Sequence, residues 1–429
     1  MVECGPVYIF MPLDLCMEHV SVARLSTPID TSPSINSSCQ HFAVEAIKQT
    51  LFAAERPILF VDGIAKSYKV QETVKAIARK LRIPTYSSTM GKSVIDETED
   101  YFVGVYQGII SDPHVLEHFE SSDCVFLIGE VSCDTNSGGF TRKFPANSIR
   151  VDPYEVSAKG ETFSNLHISG VLAEFNKSLS EDETRVVRIA MPKVPVAKPP
   201  VDSASLNITQ SWMWDKLVEQ VRADDVVLTE TGTAVFGICY ARIPGNTRFY
   251  TQTYYGSIGW ATPAALGVEL ALRERAAEAG APRGRTFLVT GDGSLNLTIQ
   301  EIGTMISSGL APLIIVLNNA GYTIERVIHG ARQRYNDINP VAYKHLLAAF
   351  CHPDPDNHYF RVETKEEFER VFSNERVKNP KLTTVVELIL DKMDVPWRLT
   401  KQIGIRGPEY MQYLVDEGFI GEGRVGIGG

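Results

Sequence analysis

Two short apolar runs, each ending in a polar turn, constrain the fold of this chain more than any other feature. The first is Phe287-Leu-Val-Thr, followed by Gly291-Asp-Gly, and the second is Pro312-Leu-Ile-Ile-Val-Leu, followed by Asn318-Asn. Apolar runs of this length and composition are typical of buried parallel strands. We therefore predict that both runs are strands of one sheet.

The residues between the two strands predict a helix. Apolar residues recur with helical spacing between about Leu297 and Ser308, and Gly309 would end the helix. The predicted buried face consists of Leu297, Ile302, Met305 and Ile306. A β-α-β unit places its two strands parallel, with their carboxyl ends at the same edge. Asp292 and Asn319 would then face one crevice, where open α/β sheets bind ligands.

The pair Asp292 and Asn319 predicts a site for a hard cation. Carboxylate, amide and backbone carbonyl oxygens suit Mg²⁺, which also binds phosphate oxygens. The flanking glycines let the backbone approach a phosphate, and a helix start offers free N–H groups. Each motif alone is more often an ordinary turn or loop. Their spacing on one β-α-β unit favours the ion site.

The same residues resemble a known family. Gly291-Asp-Gly, twenty-four further residues and then Asn318-Asn resemble the thiamine diphosphate signature. The longer sequence from Gly291 to Leu295 and from Leu317 to Gly330 is similar to that of pyruvate and indolepyruvate decarboxylases of the fungal type. This resemblance runs from residue 5 to about residue 395.

The resemblance implies an α/β fold with two doubly wound parallel-sheet domains, a central spacer domain and a C-terminal diphosphate-binding domain, joined by a Pro-rich linker. The implied cofactors are thiamine diphosphate and Mg²⁺. The implied reaction is the non-oxidative decarboxylation of a 2-oxo acid, pyruvate above all, to an aldehyde and CO₂. The alternative is a different enzyme of the same cofactor class, such as an acetolactate synthase. The sequence Gly321-Tyr-Thr-Ile-Glu argues against that alternative.

The resemblance also assigns site residues. The metal ligands would be Asp292, Asn319 and the Gly321 carbonyl. The Thr231-Gly-Thr233 turn after the strand Val226–Glu230 could hold the diphosphate from the side opposite Ser294, although such turns are common. The full set of expected cofactor contacts is Thr231, Thr233, Gly256, Ser257, Ile258, Gly291, Asp292, Gly293, Ser294, Asn319, Gly321 and Tyr322.

Two further residues are assigned catalytic roles by the resemblance. Ile258 would hold the cofactor bent, with the Gly256 carbonyl receiving its 4′-amino group, and a stiff branched side chain suits that task. Glu325, at a helix start where a carboxylate is favoured, would handle protons. Without the resemblance, we would interpret Ile258 as a core residue and Glu325 as a surface charge. His329 is expected to be structural.

Composition excludes several classes of partner. The formal net charge of -10 argues against nucleic acid or an anionic membrane as a partner. No apolar run approaches the length of a membrane span. Seven cysteines without a C-x-x-C pair favour free thiols in a reducing compartment. The N-terminus lacks the pattern of a signal peptide. Cytoplasm is the expected location.

The chain divides into five segments. Residues 1–40 are expected to be a remnant of a pyrimidine-binding domain, with a strand followed by a turn in Gly5–Leu15, and a linker. A central Rossmann-like domain would span 41–178, although no complete G-x-G-x-x-G supports a dinucleotide site. A Pro-rich linker at 179–205 precedes the cofactor-binding domain at 206–400. Residues 401–429 are expected to form an atypical flexible tail, Gly-rich from Gly421 on.

One departure from the family pattern limits the expected activity. The family needs a glutamate and an adjacent His-His pair on the pyrimidine domain, and all nine histidines here are isolated. Loss of a proton-transfer group costs on the order of 10²–10⁴ in rate. The chain is therefore expected to be a truncated decarboxylase, or a silent subunit that binds the cofactor beside a full-length partner. A homodimer or tetramer is the expected assembly otherwise.

Overall fold

The computed structural model describes residues 4–5, 7–30, 33, 36–182, 184, 202–279 and 284–420. These residues form two α/β units, each built on its own mostly parallel sheet. The predicted fold class is therefore confirmed. No helix among them is long and apolar enough to cross a membrane.

The central unit contains a seven-stranded sheet whose spatial order is β3-β2-β1-β4-β5-β6-β7. The pairs from β3 to β5 are parallel, and the last two strands add an antiparallel edge. The strands are β1 Pro57–Val61, β2 Thr85–Ser87, β3 Phe102–Val105, β4 Cys124–Ile128, β5 Ile149–Val151, β6 Glu155–Ala158 and β7 Glu161–Ser164.

Helices cover this sheet because each turns an apolar face inward. In the first of them, Asn36 caps the start through the Cys39 N–H, and Val44, Ile47 and Leu51 are buried. The helices are α1 Ser37–Ala53, α2 Ile64–Ser67, α3 Gln71–Leu81, α4 Pro113–Glu120 and α5 Ile168–Ser178.

The C-terminal unit contains a six-stranded, fully parallel sheet in the order β12-β13-β11-β10-β8-β9. The chain passes from β8 outward to β9 and returns on the other side of β8 as β10. A topological switch point, where such sheets bind ligands, therefore lies between β8 and β10. The strands are β8 Val226–Thr229, β9 Arg248–Tyr250, β10 Thr286–Gly291, β11 Leu313–Asn318, β12 Tyr359–Val362 and β13 Thr384–Ile389.

Two apolar clusters fill the two faces of this sheet, one around Trp214 and Phe368 and the other around Ile302 and Met305. The helices are α6 Gln210–Val218, α7 Thr233–Ile238, α8 Ala261–Ala279, α9 Asp292–Leu295, α10 Gln300–Ser307, α11 Thr323–His329, α12 Leu346–Ala349, α13 Lys365–Ser373, α14 Glu375–Lys378, α15 Trp397–Gly404 and α16 Pro408–Asp416. Single 3₁₀ turns lie at Leu13–Leu15, Val22–Ser26, Arg334–Asn336, Tyr343–His345 and Pro355–Asn357.

Two local predictions are wrong. The described residues of Gly5–Leu15 form no strand, because no neighbouring strand pairs with them, and Tyr8 and Phe10 are exposed. The helix expected from Leu297 begins only at Gln300, after the separate turn α9, and the Leu297 side chain is 51% exposed.

The C-terminal segment also differs from expectation. A flexible tail was expected from residue 401, but the chain is helical in α15 and α16 as far as Asp416. Leu399, Ile403 and Leu414 are buried together with Val327 of α11, and this apolar contact stabilises the helix pair. The Gly-rich end at 421–429 and most of the linker at 179–205 lie outside the described residues.

A buried ion pair joins the two units. Lys92 Nζ lies 2.6 Å from Glu97 Oε2, and both side chains are buried. Lys92 Nζ also donates to the Ala241 carbonyl at 2.7 Å, while the Ile243 N–H donates to Glu97 Oε2 at 3.1 Å. Because both members of the pair have a partner across the interface, the pair helps to fix how the units meet, together with contacts such as that of Lys66 Nζ with the Phe249 carbonyl.

Candidate active site

The carboxyl end of β10 presents a buried aspartate to the switch point. Asp292 Oδ1 accepts the Gly293 N–H at 2.8 Å, and Oδ2 accepts the Gly321 N–H at 3.0 Å. Burial raises the Asp292 pKa to about 6, although these backbone donors counteract the shift. A cation at this carboxylate would favour its charged form and offset the cost of burial.

The end of β11 brings two more oxygens to Asp292. In one orientation of the Asn319 amide, its Oδ1 lies 3.1 Å from Asp292 Oδ1 and 2.8 Å from the Gly321 carbonyl oxygen, with Nδ2 beside the Thr323 hydroxyl. In the opposite orientation the amide N–H groups donate to those two oxygens, and Oδ1 accepts from Thr323. The first orientation needs a cation among the oxygens, and the second needs none.

In the first orientation the three oxygens fit magnesium. Mg²⁺ binds oxygen octahedrally at about 2.1 Å, so neighbouring ligands lie about 3.0 Å apart. The separations of 3.1 and 2.8 Å from Asn319 Oδ1 match that spacing. Gly321 has a φ of +134°, and a side chain there would collide with the Asn336 carbonyl, so only glycine presents this backbone. Asp292, Asn319 and Gly321 are thus brought together at one edge of the sheet.

The turn after β8 faces the same crevice. Thr231 Oγ1 donates to the Gln252 carbonyl at 2.8 Å, and Gly232 has a φ of +145°. Thr233 begins α7, and Ser294 lies in α9 across the switch point; both are buried. Two short helices therefore begin on either side of the switch point, and the N–H groups at such helix starts suit a phosphate group.

The loop before α8 forms the exposed rim of the crevice. Gly256 and Ser257 are exposed, Ile258 is 42% exposed, and Tyr255 is 90% exposed. The Gln252 side chain holds the loop through the Ser257 N–H at 3.3 Å. Ile258 is therefore not a core residue in the described structure, which removes the ordinary explanation for its position.

Glu325 lies in the first turn of α11, which begins two residues after Gly321. It is 45% exposed, and its Oε2 lies 3.2 Å from His329 Nε2. His329 is itself exposed, so it is a neighbour of Glu325 rather than a packed structural histidine. Tyr322 packs over Gly293, where a side chain would collide with its ring.

Sequence reasoning missed two residues that support this site. Tyr343 donates its hydroxyl to the Asp292 carbonyl at 3.1 Å, across 51 residues of sequence. Glu230, the residue after β8, is buried beneath the Thr231 turn. The sequence signal for Glu230 was an acidic residue directly after an apolar strand; Tyr343 has no comparable signal.

Comparison with known protein families identifies both units. Residues 44–179 match the thiamine pyrophosphate enzyme central domain, and residues 230–387 match the C-terminal TPP binding domain of thiamine pyrophosphate enzymes. A solved structure with the same fold is benzoylformate decarboxylase from Polynucleobacter necessarius, which has a TM-score of 0.65 at 17% identity and covers 89% of this chain and 69% of that chain.

Named relatives are closer in sequence. A pyruvate decarboxylase of Aspergillus fumigatus is 36% identical over 397 residues, covering 92% of this chain and 68% of the relative. Pyruvate decarboxylase isozyme 1 of Saccharomyces cerevisiae is 33% identical over 402 residues, covering 92% and 69%. The chain therefore belongs to the thiamine pyrophosphate-dependent 2-oxo acid decarboxylases, a family of carboxy-lyases.

Proposed function

We propose that this chain binds thiamine diphosphate with Mg²⁺ and takes part in the decarboxylation of pyruvate to acetaldehyde and CO₂. The observation that carries the proposal is the approach of the Asn319 amide to the Asp292 carboxylate at 3.1 Å and to the Gly321 carbonyl oxygen at 2.8 Å. The substrate rests on the relatives named pyruvate decarboxylases. A 2-oxo acid is a small polar molecule, and the exposed rim at Ile258 leaves it a path to the crevice.

The residues would divide the binding between them. Asp292, Asn319 and the Gly321 carbonyl would hold Mg²⁺, while Thr231, Thr233 and the helix starts would hold the diphosphate. The remaining contacts with the diphosphate would come from Gly291, Gly293, Ser294 and Tyr322. The bound cofactor supplies the electron sink for the loss of CO₂.

The rim loops would orient the reacting groups. The Gly256 carbonyl and Ser257 would fix the pyrimidine end, and the branched Ile258 side chain would hold the two rings bent because it has few rotamers. The Glu325 carboxylate would move a proton at Oε2, the atom beside His329. Half-exposure keeps Glu325 ready to exchange that proton with water.

We further propose a cytoplasmic homo-oligomer. The seven cysteines are all free thiols, which fits a reducing compartment. The apolar residues exposed on the rim, Tyr255, Ile258 and Leu297, fit a surface that a second subunit covers.

Titration of the purified protein with thiamine diphosphate and Mg²⁺ tests the cofactor part. We expect Mg²⁺-dependent binding that Asp292→Asn weakens at least about 100-fold, because a metal ligand loses its charge. Asp394→Asn is the matched control, since Asp394 is also an aspartate with a raised pKa but its carboxylate accepts the Gln210 N–H and no group of the proposed metal site. Binding that ignores Mg²⁺, or equal effects of both variants, would refute the site.

A second candidate function is that of a cofactor-binding subunit that is silent alone. The exposed rim favours it, because nothing among the described residues covers Ile258 or Tyr255. Acetaldehyde formation from pyruvate decides between the two. Turnover by the purified chain supports the enzyme, whereas turnover that appears only after a full-length decarboxylase is added supports the subunit.

A further inference from the structure

Glu230 is a buried carboxylate between two loops of the proposed cofactor site. It follows β8 directly, it is 1% exposed, and its own N–H donates to the Val289 carbonyl of β10 at 2.9 Å. Its backbone is therefore fixed by the sheet on both sides of the switch point. The Glu230 side chain therefore starts from a fixed position at the end of β8.

The two carboxylate oxygens of Glu230 face different loops. Oε1 accepts the Thr231 N–H at 3.0 Å, in the turn that leads to α7. Oε2 accepts the Ala261 N–H at 3.2 Å, at the start of the nineteen-residue helix α8. One side chain thus joins the Thr231 turn to the end of the 256–260 rim loop.

The charged form of Glu230 is the form that these loops need. Burial raises its pKa to about 7, while the backbone N–H groups of Ala261, Thr231, Gly259 and Trp260 lower it. Three of these donors stand at or just before the start of α8 and the fourth lies in the Thr231 turn, and an anion near a helix start is favoured by the helix dipole. A neutral amide in this place would turn an N–H₂ group toward N–H donors.

Few other bonds hold the rim loop. Thr298 Oγ1 donates to the Gly259 carbonyl at 2.9 Å, and Gln252 holds Ser257 weakly at 3.3 Å. Gly256 and Gly259 both have positive φ values, so the loop backbone is easily deformed without further anchors. The carboxylate of Glu230 is the charged anchor of this loop among the described contacts.

We propose that Glu230 is a positioning residue that sets the distance between the diphosphate turn at Thr231 and the rim loop that carries Ile258. It acts through the backbone N–H groups of both loops and does not contact the cofactor. This inference rests on the proposed function, because the distance matters only if one ligand spans both loops. Without the Glu230 carboxylate each loop would still form, but the two loops would no longer lie at the distance that one cofactor molecule needs.

The test compares Glu230→Gln with a matched variant, Glu269→Gln. Glu269 is equally buried, lies in α8, and accepts the Ala311 N–H at 3.0 Å and the Thr286 hydroxyl at 2.6 Å, away from both loops. Glu230→Asp keeps the charge but shortens the reach by one methylene. Calorimetric titration with thiamine diphosphate at saturating Mg²⁺ gives the affinity, and amide hydrogen exchange of the cofactor-free protein reports the loops.

For Glu230→Gln we expect affinity to fall about 10- to 100-fold, as for other residues that orient a ligand's direct contacts. Faster exchange should be confined to residues 231–233 and 256–261. Glu230→Asp should recover part of the affinity, and Glu269→Gln should bind as the wild type does.

Affinity of Glu230→Gln within twofold of the wild type, or an equal loss in Glu269→Gln, would overturn the inference. So would unchanged exchange at 256–261. If the wild-type chain itself binds no thiamine diphosphate, the proposed function fails instead, and hydrogen exchange still reports whether Glu230 anchors the loops.

Discussion

Three acidic residues of the C-terminal unit show how backbone donors stabilise buried charge. Burial raises the pKa of Asp292 to about 6, of Glu230 to about 7 and of Asp394 to about 6. In each case the carboxylate accepts backbone N–H groups rather than a cationic side chain. Neutral donors reduce the cost of burial without cancelling the charge, so a site of this kind remains receptive to a cation.

Asp394 gives a prediction about pH. Its Oδ2 accepts the Gln210 N–H at 2.6 Å, which ties the segment after β13 to the start of α6. Because the folded pKa of about 6 exceeds the unfolded value of 3.8, the folded state binds the proton more tightly. This group therefore stabilises the fold most below pH 4, and the contribution is lost as the pH rises through 6.

Asp394→Asn, which cannot titrate, should remove this pH dependence. We expect the free energy of unfolding of the wild type, relative to the variant, to fall by about 1 kcal/mol between pH 5 and pH 7. Urea unfolding at the two pH values measures the difference. A difference that stays constant, or grows with pH, would show that the Asp394 pKa is not raised.

At the scale of elements, the sequence predicted those strands and helices that local apolar patterns determine. The parallel strands β10 and β11 followed from the two apolar runs and their polar ends. The start of α10 did not, because the turn α9 at Asp292 takes up the first residues and leaves Leu297 exposed. Helix α16 was missed because its short apolar face gains its stability from partners far along the chain.

The packing of that helix pair gives a second prediction. Leu414 of α16 is fully buried against Ile403 of α15 and Val327 of α11. Leu414→Ala should lower the free energy of unfolding by about 2–5 kcal/mol, since it leaves a cavity under α11. The catalytic candidate Glu325 stands on α11, so activity should fall as well. Gln412→Ala, on the exposed face of the same helix, should change stability by less than about 0.5 kcal/mol.

Urea unfolding of both variants measures these effects. Equal stability of Leu414→Ala and Gln412→Ala would show that α16 does not pack on α11.

At the scale of the whole molecule, the contact between the two units could not be predicted from the sequence. Lys92 meets the Ala241 carbonyl across 149 residues, and no periodicity or motif links the two positions. Lys92 and Glu97 lie five residues apart in the chain, and neither residue type is ordinarily buried. Their burial follows only from the second unit, which supplies a carbonyl to one and an N–H to the other.

Removing one member of this pair should therefore separate the units. Lys92→Met leaves Glu97 as a buried charge without its cation, and we expect a loss of about 3–5 kcal/mol in the free energy of unfolding. All four tryptophans lie in the C-terminal unit, so tryptophan fluorescence and far-ultraviolet circular dichroism follow different parts of the chain. The two signals should coincide for the wild type and diverge for Lys92→Met, because the units then unfold independently.

The double variant Lys92→Met/Glu97→Gln should recover part of the loss, since no charge remains buried. Lys75→Met breaks the exposed pair with Glu72 at 2.7 Å and should cost less than about 1 kcal/mol. Coincident transitions in Lys92→Met, with a loss no larger than that of Lys75→Met, would mean that the other contacts between the units, such as that of Lys66 Nζ with the Phe249 carbonyl, are enough to couple them.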